Sequence, residues 1–68
     1  MKIEFTDTEY RIENGRAPKG YGYWGFGFEG REFWAYGTLT EAKKKCRECV
    51  RECAPVGYDG TVYVNVLP

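Results

Sequence analysis

Apolar and polar positions alternate along most of this chain and recur at helical spacing in one stretch. Lys2-Ile3-Glu4-Phe5 alternates charged with apolar residues, the pattern of a half-buried strand. The phase then slips. Ile3 and Phe5 are odd, whereas Tyr10 and Ile12 are even. A one-residue slip sends every side chain to the opposite face. A turn or bulge is therefore expected at Thr6-Asp7-Thr8, with a second short strand beyond it. Asn14-Gly15 is a turn signal, and Arg16-Ala17-Pro18-Lys19-Gly20 reads as a loop.

Tyr21–Glu29 and Arg31–Tyr36 predict a hairpin closed by a two-residue turn at Glu29-Gly30. That turn sets Phe28 opposite Arg31, Phe26 opposite Phe33 and Trp24 opposite Ala35, all on one face. Tyr21, Tyr23, Gly25, Gly27, Trp34 and Tyr36 fall on the other. Trp34 then lies across from Gly25, and a large ring over a glycine stabilises a glycine-bearing sheet.

Thr38-Leu39-Thr40-Glu41 fits a capping box, with Thr38 as N-cap. Leu39, Ala42, Cys46, Cys49, Val50 and Cys53 follow at three- and four-residue steps and form one apolar stripe. Ala54-Pro55 ends the helix, because a residue before proline avoids helical geometry. Gly57 to Gly60 reads as a loop. Val62, Val64 and Val66 alternate along a last strand, with Tyr63 and Asn65 pointing away. The expected fold is α+β over residues 1–68 as a single domain. It is a small antiparallel sheet with one helix packed on the face of Trp24, Phe26, Phe28, Phe33 and the valines.

Composition explains how so short a chain finds a core. A 68-residue chain buries only about 60% of its unfolded surface. Aromatic residues are 18% of it, and each buried ring hides roughly 150–250 Å². Ten Lys and Arg balance ten Asp and Glu, which argues against a general nucleic-acid binder. No apolar run approaches the ~20 residues of a membrane span, and no signal peptide is expected. Three cysteines within eight positions do not make a disulfide framework. A reducing cytoplasm is the expected setting.

Chemistry adds little. Cys46, Cys49 and Cys53 offer three thiols, but the chain has no His and a closed zinc site needs four ligands. Their place on the apolar stripe favours a role as small core fillers. Gly20-Tyr21-Gly22-Tyr23-Trp24-Gly25 matches G-x-G-x-x-G, yet lacks the following helix that would meet a phosphate. Without His the commonest general base is absent, and the acids form no evident pair. Neither catalysis, a metal nor a cofactor is expected.

Three surfaces are candidate binding sites. Tyr21, Tyr23, Trp34 and Tyr36 form an aromatic sheet face, which residues 1–20 either leave open or cover. Glu4, Asp7, Glu9 and Glu13 form a prospective acidic edge, unless these charges only guard against aggregation. Lys43, Lys44, Arg47 and Arg51 form a basic helix ridge, either a solvated face or an anchor for phosphates or an acidic protein.

Two resemblances bear on function. The hairpin with Thr38-Leu39-Thr40-Glu41-Ala42 resembles the HicB antitoxins, in which strands run into a helix opening with Thr-x-x-Glu-Ala. The usual acidic, proline-bearing segment and the DNA-binding extension are missing here. In overall character, a small α+β chain opening MKIEFTDTEY without an enzyme motif resembles the anti-CRISPR proteins, especially those against type I systems. That likeness implies a non-enzymatic, monomeric inhibitor that binds a host surveillance complex in the bacterial host's cytoplasm and blocks DNA recognition. The alternatives are a small nucleic-acid-binding domain and an antitoxin-like partner of a toxin.

Overall fold

The computed structural model describes residues 1–54 and 57–68. Its elements run β1 (Lys2–Thr6), α1 (Thr8–Asn14), β2 (Tyr21–Phe28), β3 (Arg31–Thr38), α2 (Leu39–Cys53) and β4 (Thr61–Val66). The strands form one sheet in the order β1-β4-β2-β3. The class is α+β.

The β2–β3 hairpin has the register that its turn demands. Trp24 pairs with Ala35, Gly25 with Trp34, Phe26 with Phe33 and Phe28 with Arg31. Glu29 and Gly30 both take left-handed backbone, at φ 47° and 75°. That is the mirror-image turn whose twist suits a two-residue hairpin. Glycine adopts it freely, whereas Glu29 gives up about 1–2 kcal/mol. Gly25 serves a different end. A Cβ there would overlap the Trp34 ring, with Cε3 at 2.7 Å. Only glycine lets the indole lie flat on β2.

α2 begins as its capping residues require. Thr38 is extended, and its Oγ1 accepts from the Glu41 N–H at 3.2 Å. The same hydroxyl donates to the Glu41 carboxylate at 3.0 Å. Thr38→Ala is therefore expected to cost about 1 kcal/mol, read as a lower urea midpoint with an unchanged slope. Ala54 closes the helix in extended geometry. Pro55, expected to enforce that stop, lies outside the described residues.

The core lies between α2 and one sheet face. Trp24, Phe26 and Phe28 of β2, Ala35 of β3 and Val62, Val64 and Val66 of β4 meet Ala42, Cys46 and Val50. Ile3, Phe5 and Phe33 pack at its margin, and the Phe5 and Phe26 rings meet edge to face at 5.7 Å.

Three expectations are corrected. First, there are two helices, not one. The expected bulge at Thr6-Asp7-Thr8 is the entry to α1, with Asp7 as N-cap residue. Tyr10 and Ile12 are helical. Asn14-Gly15 is no hairpin turn: Gly15, at φ 70°, caps α1 and donates to the Arg11 carbonyl at 2.8 Å. The short helix holds because Asp7 and Arg11 pair at 3.0 Å one turn apart and because Tyr10 packs on Trp24. Second, the sheet is mixed, not antiparallel: β1 runs parallel to β4, with Ile3 beside Val62 and Phe5 beside Val64. This registry puts all four apolar side chains on the α2 side. Third, the apolar stripe is shorter than its sequence spacing. Cys46 is buried, Cys49 half-buried and Cys53, in the last turn, exposed.

Candidate functional site

The sheet face turned away from α2 is open. Residues 1–20 do not cover its aromatic residues: Tyr21 is 77% exposed, Tyr23 55%, Trp34 41% and Tyr36 65%. The reason is local. α1 spends its one inward ring, Tyr10, on Trp24, whose indole belongs to the core side. The open-face rings instead order one another. Tyr23 sits between Tyr36, with centroids 4.4 Å apart, and Trp34, 5.3 Å away and stacked. The Trp34 Nε1–H donates to the Glu32 carboxylate at 3.3 Å. Three aromatic side chains are thus held in one row on paired strands, a rigid surface with little side-chain freedom left to lose on docking.

Tyr63 belongs to the same face. It stands beside Glu4 in the β1–β4 ladder and is exposed. Its phase against the valines already placed it there, but an isolated tyrosine does not announce a surface without its neighbours.

The four acids are spread over β1 and α1, and three of them have partners. Glu4 pairs with Lys2 at 3.2 Å and Asp7 with Arg11. Glu9 accepts from the Asn65 side-chain amide at 2.8 Å, which ties α1 to β4. Glu13 is exposed on α1. The basic residues of α2 also divide. Lys43 Nζ lies 5.3 Å and the Arg47 guanidinium 5.0 Å from the centre of the Phe5 ring. Both are half-buried and roof the β1 margin of the core by cation–π contact. Lys44 and Arg51 are exposed.

The thiols form a graded series. Burial first, then the nearby Cys49, raises Cys46 from 9.0 to about 11. Burial and then Cys53 also push Cys49 upward. Such thiols stay protonated and unreactive near neutrality. At pH 8 in native conditions, one thiol, Cys53, is expected to react rapidly with a maleimide. Cys46 is expected to react only when the chain unfolds, as read by mass spectrometry. Among the described residues no group of three His, Cys, Asp or Glu side chains could hold a metal ion. No described helix is long and apolar enough to cross a membrane.

At the end of the sheet near α1, the aromatic face runs into a cleft of about 320 Å³. Asn14, Arg16, Lys19, Tyr21, Tyr23 and Trp34 line much of it. Arg16 and Lys19 had no place among the candidate residues. Their signal was weak: two bases in a Pro-containing loop next to an aromatic strand. The glycine motif at 20–25 leads into strand β2, followed by a hairpin rather than a helix, so it is not a dinucleotide site. Comparison with known proteins finds no matching family model, no matching curated protein and no matching solved structure.

Proposed function

We propose that this protein is a non-enzymatic inhibitor that docks its open aromatic face on a host protein complex. The observation behind this reading is the exposed row of Trp34, Tyr23 and Tyr36 with Tyr21 beside it, on a sheet whose other face is closed by α2. Exposed apolar patches mark interaction sites, and Tyr and Trp are the residues that most often dominate an interface. The acidic residues Glu4, Glu9 and Glu13 lie on the β1–α1 flank, where they would favour a basic partner surface by steering. A surface that binds nucleic acid is such a partner. The likeness in size, small α+β fold and absence of an enzyme motif to anti-CRISPR proteins makes a type I surveillance complex the specific choice.

The test mixes the purified protein with a purified type I complex and its target DNA. The expected result is co-elution with the complex and a stoichiometric loss of target binding, with no covalent change to either component. Target binding that stays unchanged under a several-fold excess of the protein, across type I subtypes, would refute the proposal.

A further inference from the structure

The cleft at the α1 end of the aromatic face has a chemistry of its own. Arg16 and Lys19 are its charged side chains, and no Asp or Glu lines it. In a chain with equal acid and base counts, that is a local separation of charge. Tyr21, Tyr23 and Trp34 line the same cleft. Small-molecule sites begin at about 300 Å³, and this cleft reaches that size.

Two cations and flat aromatic rings meet in one recess.

We infer that this cleft binds a nucleotide, its phosphate on Arg16 and Lys19 and its base on the Tyr21 ring, which lines the cleft and is 77% exposed. Cations supply charge-assisted hydrogen bonds to phosphate oxygens, and an exposed aromatic ring stacks on any base. The ligand is a nucleoside 5′-phosphate, either free or at the end of a single strand. The site shares aromatic residues with the proposed docking face, but the inference does not depend on the inhibitor reading, because Arg16 and Lys19, which would hold the phosphate, play no part in that face.

The experiment titrates the intact protein with AMP, adenosine, a 5′-phosphorylated hexathymidylate and its 5′-hydroxyl counterpart, following tryptophan fluorescence. Pro68 also lines the cleft, so a carboxylate there would add an anion. The titrations therefore run with and without a short Gly-Ser extension, and binding in either form counts. AMP is expected to bind at least tenfold more tightly than adenosine. R16Q and K19Q are each expected to weaken AMP roughly tenfold and to leave adenosine unchanged. Both residues are exposed, so these variants keep the fold. A phosphorylated hexamer that binds more tightly than AMP identifies a strand end, and equal affinity identifies the free nucleotide. Equal affinity for AMP and adenosine, or an R16Q/K19Q double variant that binds AMP like the parent, overturns the inference. Co-elution of that double variant with a surveillance complex separates this site from the docking face.

Discussion

Phe26→Ala is expected to leave the protein largely unfolded. Phe26 is fully buried at the centre of the sheet, between Phe33 on β3 and Val66 on β4. Its ring also meets Phe5 from the edge strand. Truncating a buried phenylalanine costs about 3–5 kcal/mol, from lost transfer energy and from the cavity left behind. A chain of 68 residues has a total stability of only about 3–10 kcal/mol. The variant should lose its near-ultraviolet dichroism and its cooperative urea transition. Tyr36→Ser is the control. Its ring is exposed on the open face, so the urea midpoint should move little. A Phe26→Ala variant as stable as Tyr36→Ser would mean that the sheet centre does not carry the fold.

Replacing Tyr23 and Tyr36 together by serine should abolish the docking proposed for the open face while leaving the fold in place. The two are partners across β2 and β3, and Tyr23 also steadies Trp34. Losing this pair removes roughly 0.5–1.5 kcal/mol of aromatic contact from the fold, a fraction of the whole. At an interface, truncating a central aromatic costs 2 kcal/mol or more, or about 30-fold in affinity for each. The measurement is an equilibrium titration of the parent and the double variant against the surveillance complex, with dichroism to check the fold. Equal affinities from two folded proteins would exclude the aromatic face as the contact. Trp34→Ala is less informative, because the indole also covers the Gly25 backbone and its loss mixes stability with binding.

The open face illustrates how far a pattern of residues reaches. Period-two alternation places Tyr21, Tyr23, Trp34 and Tyr36 on one side of the hairpin, and the structure keeps them there. Whether residues 1–20 lie over them is decided by where α1 finds its own contacts. Those contacts are Tyr10 on Trp24 and Glu9 on the Asn65 amide, and no local signal points to either. Cys53 shows the converse. Its helical spacing matches that of Cys46 and Cys49, yet it is exposed in the last turn of α2, because periodicity tells direction around a helix but not where the sheet beneath it stops.

What the sequence determined by itself is what short-range chemistry enforces. Thr38 and Glu41 start α2. Glu29-Gly30 turns the hairpin and with it sets every cross-strand pair, including Trp34 over Gly25. Only the tertiary structure decided the rest. α1 has seven residues, too few to be stable alone. Its one apolar residue pair, Tyr10 and Ile12, imitates a strand, while Ile12 is 74% exposed and its hydrophobicity carries no information about burial. β1 joins β4 in parallel across nearly the whole chain, a pairing that no local signal encodes, because its stabilisation comes from placing Ile3 and Phe5 beside the valines under α2. The nearness of Arg16 and Lys19 to the aromatic row has the same origin: the path of the chain from α1 to β2, which packing fixes and sequence spacing does not.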